Sequence, residues 1–255
     1  MTNYKGKVAI VMGASSAGGM GEATARRLVK EGCHVVISGR SRDSLQAIAD
    51  EIGCQAFAAD ITCQAEVHSL VDFTIERFGA LHLGVNHVGQ ADRTAVSEVT
   101  EAHLMKMTQI NFFGTVWFIQ SLAERMEQGG AIVTTSTLSA YDAMPGIAAY
   151  ASTKRAADRF VQAAAVEYAH KRLRINAIIP SINDTNMLRK GVQEYGYEFD
   201  DFVEPYIPLT PLGRISHPND IAAMVCMLLS DEYFDTGQLI HCSGGNSLLG
   251  QPRLG

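Results

Sequence analysis

Short apolar runs alternate with longer amphipathic segments from one end of this chain to the other, and few architectures accommodate that pattern. Lys7–Met12, His34–Ser38, Gln55–Ala59, Leu81–Asn86, Ala131–Thr135, Arg174–Ile179 and Gln238–His241 read as strands. Between them, Gly21–Lys30, Ser41–Ile52, Ala65–Phe78, Thr100–Glu127, Ala149–His170 and Asp220–Ser230 read as helices. Strands joined through helices run parallel, and the helices then cover both faces of the sheet. The expectation is an α/β fold, a single domain over residues 1–255 with a doubly wound parallel sheet of about seven strands. No repeat or linker breaks it. The least regular stretch, 181–218, holds four of the seven prolines and reads as a substrate lid.

Composition removes several function classes. With 255 residues, 47% hydrophobic, the chain can bury a full core. A net charge of −6 argues against a nucleic-acid partner. No apolar run reaches the ~18 residues of a membrane span, and Val8–Met12 before Gly13 is too short for a secretory segment. The five cysteines, at 33, 54, 63, 226 and 242, include no Cys-x-x-Cys pair. Neither a disulfide framework nor a metal site is expected, and a cytoplasmic setting follows.

The first strand runs into Gly13-Ala-Ser-Ser-Ala-Gly18-Gly19-Met-Gly21 and then a helix. Glycines there let the backbone approach a pyrophosphate seated on the helix N-terminus. Loops of this kind often have an acidic residue at the end of the second strand, to hold a ribose hydroxyl. Here that strand ends Ser38-Gly39-Arg40-Ser41-Arg42. A guanidinium suits a 2′-phosphate, so NADP(H) is expected over NAD(H).

Tyr150 and Lys154 stand at i and i+4 near the start of an alanine-rich helix and share a face. A cation beside a phenol favours its ionised form and so eases proton transfer to or from a carbonyl oxygen. The glycine loop, Asn86-His-Val-Gly89, Asn111, hydroxyls at 135–139, Tyr150-Ala-Ser-Thr-Lys154 and Pro180-Ser-Ile-Asn-Asp-Thr185 follow in one order. In that order the chain resembles the short-chain dehydrogenase/reductase family, in its soluble branch of about 250 residues, from Lys7 to Gly245. The resemblance implies a Rossmann-type sheet and a set of roles. Tyr150 is the acid–base, and Lys154 lowers its proton affinity and binds the nicotinamide ribose. Asn111 lies at a local break in the long fourth helix and holds a water. Gly13, Ser15, Ser16, Gly19, Met20, Gly21 and Arg40 hold the phosphates. Asp60 and Ile61 meet the adenine, Asn86 and Gly89 line the cofactor, and Pro180, Ile182 and Thr185 flank the nicotinamide.

The chain also departs from that family's pattern. Its glycine loop is two residues longer, with Ala17-Gly18 as the insertion and Met12 in place of threonine. Enoyl-thioester reductases of the superfamily lengthen this loop too, but they space tyrosine and lysine more widely, so carbonyl chemistry is expected here. Thr137 stands where the family has serine, with Ser136 and Ser139 as alternatives. His87 replaces an asparagine and reads as a hydrogen-bonded structural substitute rather than a second acid–base. Ser181 replaces a glycine.

Tyr195, Tyr197, Phe199, Phe202 and Tyr206 form an aromatic set in the presumed lid, beside Glu194, Glu198, Asp200, Asp201 and Glu204. An aromatic wall suits a small-molecule substrate that is an apolar or cyclic ketone or secondary alcohol. The acids disfavour polyanions, which places acyl-carrier-protein 3-oxoacyl thioesters second. A catalytically weak NADP(H)-binding sensor or scaffold is the alternative from another class. The alanine-rich helix and the resemblance together imply a homotetramer, with a dimer as fallback.

Overall fold

The computed structural model describes residues 4–194 and 196–250. Seven strands form one sheet: β1 (Val8–Met12), β2 (His34–Gly39), β3 (Gln55–Ala58), β4 (Leu83–Asn86), β5 (Gly130–Thr135), β6 (Leu173–Pro180) and β7 (Leu239–Cys242). Their spatial order is 3-2-1-4-5-6-7, and every pairing is parallel. The order reverses between β1 and β4, so a crevice opens beyond the carboxyl ends of those two strands.

Successive side chains on a strand face opposite ways, and β1 shows how this builds two cores. Ala9 and Val11 face a layer holding Ala25 and Leu28 of helix α1 (Met20–Lys30), Leu45 and Ile48 of α2 (Arg42–Ile52), and Ile221 and Val225 near the C-terminal end. Ile10 and Met12 face the other way. They meet Val67 and Leu70 of α3 (Gln64–Phe78) in a layer that also holds Phe118, Ile119 and Val161. All four β1 residues are at most 1% exposed, as expected of a strand covered on both faces.

The expected helix over 100–127 is one rod with an interruption. Helix α4 (Glu101–Thr108) passes through a π-helical turn, Gln109–Phe113, into α5 (Gly114–Arg125). The wide turn carries Asn111, so the break lies where the resemblance implies it. Gly114 follows it against Ile61, where a Cβ would come within 2.9 Å of that side chain. Helix α6 (Ala148–Glu167) is shorter than expected and closes in a tight turn, Tyr168–Lys171.

After β6 come three helices: α7 (Asn186–Glu194), α8 (Phe199–Val203) and α9 (Pro218–Leu229). Pro218 belongs to α9 rather than to the irregular segment. Its missing N–H costs nothing in the first helical turn, and His217 caps that helix in a reciprocal pair with Asp220. The irregular segment is therefore 181–217. A four-residue helix α10 (Asn246–Leu249) follows β7.

Candidate active site

The glycine loop between β1 and α1 is shaped by close backbone approach. A Cβ on Gly21 would collide with the Gly13 carbonyl and come within 2.8 Å of Ala14 Cα, and Gly13 itself has φ +89°. The N-terminus of α1 carries no side-chain cap. Glu22 lies in its first turn, but its carboxylate points elsewhere. One oxygen accepts the Gly18 N–H at 2.6 Å, and the other meets Arg26 at 2.6–2.7 Å. That ion pair offsets the one negative charge that would oppose an anion at this helix end.

Beside the loop lies an open cleft. Among its lining residues are Gly13, Ser15, Ser16, Gly19, Met20, Gly21, Arg40, Asp60, Ile61, Gly89 and Thr185, all expected there. It is also lined by Gln90, Ile110 and Met187, which the sequence did not single out. Arg40 is exposed at the end of β2, facing the cleft. The uncapped helix end, the glycine cradle and the arginine fit a phosphate-bearing dinucleotide.

Some expected cofactor residues are placed otherwise. Asn86 is 2% exposed and lies outside the cleft lining; its side-chain oxygen accepts the Val88 N–H at 2.9 Å and bends the chain after β4. Pro180 ends β6 beyond the cleft, and Ile182 lines a second cavity. Asp60 borders the cleft, with one carboxylate oxygen accepting from both the N–H and the hydroxyl of Thr62, at 2.9 and 2.8 Å.

Next to the cleft, α6 presents Tyr150 and Lys154. The Lys154 ammonium is 3% exposed and donates to the carbonyls of Val88 and Thr135, at 3.1 and 2.9 Å, joining the ends of β4 and β5. Burial pushes it down to about 8, with the negative charge of Asp158 acting in the opposite direction. The Tyr150 hydroxyl is hydrogen-bonded to Thr137, which distinguishes that residue from its neighbours. Ser136 instead donates to Asp158 at 2.7 Å, while Ser139 lines the second cavity with its N–H bonded to the Thr137 hydroxyl.

The expected lowering of Tyr150 by Lys154 is not what this arrangement produces. Burial raises the phenol above its ordinary value, the Thr137 hydrogen bond lowers it, and Asp158 raises it further. The phenol is thus neutral near pH 7, poised to donate a proton. Asn111 is fully buried; its amide donates to the Gln90 carbonyl at 2.9 Å and to Thr153 at 3.3 Å, and its oxygen accepts the Gln90 N–H at 3.0 Å. Gly89 lies between these groups, since a Cβ there would come within 3.0 Å of the Lys154 Nζ.

His87 bridges two hydroxyls, Thr24 at 2.9 Å and Thr135 at 2.8 Å. Burial, with the nearby Lys154 charge, pushes it down to about 3. It is a neutral strut between α1 and β5.

The second cavity is lined by Thr137, Leu138, Ser139, Met144, Ser181, Ile182 and Tyr206. The expected aromatic wall is mostly absent. Among the described residues of that set only Tyr206 lines this space; Phe202 packs on Tyr206, Phe199 lies under the Arg189 guanidinium and Tyr197 is exposed. Tyr195 lies outside the described residues. Ser181 donates to Asn246 at 2.5 Å, which fixes the start of the 181–217 segment. Among the described residues no group of His, Cys, Asp or Glu is placed to hold a metal ion, and no helix is long and apolar enough to cross a membrane.

Crevice, glycine cradle and the pairing of a part-exposed tyrosine with a buried lysine together point to a Rossmann-type oxidoreductase. A family model described as "Enoyl-(Acyl carrier protein) reductase" matches residues 13–247. A diacetyl reductase [(S)-acetoin forming] of Staphylococcus epidermidis is 32% identical over 253 residues, covering 94% of this chain and 98% of the relative. A tetrahydroxynaphthalene reductase of Pestalotiopsis fici is 29% identical over 256 residues, covering 95% and 92%. A solved short-chain type dehydrogenase/reductase from Mycobacterium ulcerans superposes with TM-score 0.91 at 28% identity, covering 98% of this chain and 93% of that one. The chain belongs to the short-chain dehydrogenase/reductase family of oxidoreductases.

Proposed function

We propose that this protein is an NADP(H)-dependent oxidoreductase interconverting a ketone and a secondary alcohol, with an apolar or cyclic small molecule as substrate. The observation that carries this reading is the placement of Thr137, which acts on the Tyr150 phenol, on the wall of the second cavity. A carbonyl oxygen placed between those two hydroxyls accepts from both. Tyr150 then gives up its proton as charge develops on that oxygen, and Thr137 stabilises the charge. A bound nicotinamide supplies or takes the hydride at the carbon. Lys154 and Asn111 orient the site from behind, and Arg40 receives the 2′-phosphate.

Leu138, Met144, Ile182 and Tyr206 line the second cavity beside the hydroxyls of Thr137, Ser139 and Ser181, and segment 181–217 is its lid. Two similar proteins bear names of ketone chemistry, one on a small diketone and one on a fused aromatic system. The family model's description points instead to acyl thioesters. The three-residue gap between Tyr150 and Lys154 and the acids of the lid favour free carbonyls. A cytoplasmic homotetramer remains the proposed state.

The test is the initial rate of reduced-nicotinamide loss for the purified protein. NADPH and NADH are each offered with cyclic ketones, aromatic ketones, a diketone and acetoacetyl thioester. Turnover with NADPH on a free ketone is expected, falling by a factor on the order of 10²–10⁴ in Tyr150→Phe. Faster turnover of the thioester reverses the substrate order. Binding of NADPH without turnover in either direction selects the sensor or scaffold.

A further inference from the structure

Asp158 lies two helical turns beyond Tyr150 and one beyond Lys154, on the same face of α6. It is a carboxylate with 1% exposure in the core of an oxidoreductase, and nothing in the reaction described above uses it. Buried carboxylates are costly unless hydrogen-bonded or paired with a cation. Here one oxygen, Oδ2, accepts two hydroxyls, Ser136 at 2.7 Å and Tyr141 at 2.9 Å. Burial raises the carboxylate's proton affinity, while the two donors converging on one oxygen, with Lys154 and Arg155 nearby, act the other way and favour the ionised form. The Tyr141 ring is in turn covered by the Arg155 guanidinium, 4.3 Å from its centroid, and meets His241 of β7 edge-on at 5.8 Å.

Ser136 is covalently next to Thr137, and its own N–H is fixed to the Ile178 carbonyl of β6 at 2.8 Å. With its N–H held by β6 and its hydroxyl by Asp158, Ser136 has little freedom, and Thr137 inherits that constraint. We propose that Asp158 is a positioning residue of this site: it holds the Ser136–Thr137 turn and Tyr141 in place and stands as the counter-charge to Lys154. The proposal rests on the carbonyl–alcohol reading given above.

The electrostatic consequence has one sign for both reacting partners. The anion favours the ammonium of Lys154 and disfavours the phenolate of Tyr150, so it raises the proton affinity of each. The charged and titratable groups around it are Tyr150, Lys154 and Arg155 on its own helix and Tyr141 in the loop before it; His87, on the far side of Lys154, stays neutral. Removing the charge therefore lets Tyr150 and Lys154 lose their protons at lower pH. For ketone reduction, which needs both protonated, the alkaline limb of the pH profile moves down.

Asp158→Asn is the discriminating variant, because its amide oxygen can still accept from Ser136 and Tyr141. The expected result is a shift of the alkaline limb of kcat/KM by about one pH unit, tenfold in proton affinity. An independent readout follows Tyr150 itself. Phenolate absorbance is titrated in the wild-type background and in Tyr150→Phe, each with and without Asp158→Asn, and the differences isolate Tyr150. Its titration moves down in the same direction. A folded Asp158→Asn protein with both readouts unmoved overturns the proposal. If the wild type reduces no carbonyl, the functional reading fails, while the phenolate titration still decides this one. Should Asp158→Asn not fold, Ser136→Ala/Tyr141→Phe/Asp158→Leu removes the charge together with its donors and leaves no buried hydroxyl unpaired. Its Tyr150 titration is read against Tyr150→Phe in that same background, with the same shift expected and the same null result overturning.

Discussion

The two sides of this site are built by different means. The dinucleotide cleft is made of backbone at strand ends, where Gly13, Gly21 and Gly89 each touch something that a Cβ would strike. Its neighbours are pinned by hydrogen bonds between elements distant in sequence, such as Lys154 to the Val88 and Thr135 carbonyls. The 181–217 segment has two short helices joined by turns. Side-chain bonds tie most of it to the rest of the chain, Ser181 to Asn246, Asn246 to the Leu209 carbonyl and Asn186 to the Ala17 carbonyl, with a backbone bond from the Leu212 N–H to the Gly244 carbonyl. Backbone in a sheet cannot move without breaking ladders, whereas a segment held by side chains can open locally at little cost. A fixed cofactor side and a compliant substrate side suit an enzyme that keeps one cosubstrate while accepting varied ketones.

Thr137 belongs to both sides, since it follows β5 and also lines the second cavity. Thr137→Ala is therefore expected to lower kcat on the order of a hundredfold. NADPH affinity, measured by fluorescence titration, stays within a factor of about two, well under the tenfold that 1.4 kcal/mol would give. Unchanged turnover would return the role to Ser136 or Ser139. A large loss of NADPH affinity would mean that the two sides are not separable at this residue.

The cofactor side is broken more selectively at Gly21. A methyl there meets the Gly13 carbonyl and the Ala14 backbone, which cannot yield as a side chain would. Overpacking of this kind costs about 1–3 kcal/mol. Gly21→Ala should weaken NADPH binding by roughly tenfold or more and lower the melting temperature. Its residual kcat at saturating cofactor should stay near wild type. Unaltered binding would show that the loop reshapes freely and that the cradle is not fixed by backbone contact.

The sequence made the cofactor side far more legible than the substrate side, for the same physical reason. Strand–turn–helix patterning and obligatory glycines leave a trace in residue type, so the loop and Arg40 were legible in the sequence, while Asp60, Ile61 and Gly89 came from the family resemblance. Aromatic side chains carry no such trace of direction. Tyr197, Phe199 and Phe202 look like Tyr206 in the sequence, yet only Tyr206 turns toward the cavity. Glu22 and Asp158 were missed because a lone acid on a helix usually means a solvated face. In hindsight both carried a signal. Glu22 stands four residues before Arg26, and Asp158 stands in the same i+4 register that joins Tyr150 to Lys154. A local break at Asn111 was expected from resemblance alone, and its π-helical form was not, because no residue in Gln109–Phe113 announces it by type.

The smallest expected effect tests whether the two sides communicate. Asn186, the first residue of α7, donates to the Ala17 carbonyl at 2.6 Å, and Ala17-Gly18 is the pair read from the family resemblance as lengthening the glycine loop. Gly18 is also gripped from below, by the Glu22 carboxylate on its N–H at 2.6 Å. The added residues thus form a clasp between the cofactor loop and the segment flanked by Thr185 and Met187, both of which line the cleft. Asn186 is exposed, so Asn186→Ala removes one hydrogen bond in contact with water, worth about 0.5–1.5 kcal/mol at most. NADPH dissociation, followed by stopped-flow displacement, should speed up by roughly two- to fivefold, with kcat on ketone nearly unchanged. An unaltered dissociation rate would mean that the segment moves independently of the loop. An acceleration beyond about tenfold would exceed what one exposed bond supplies, and would mean that the clasp organises the glycine loop as well as covering it.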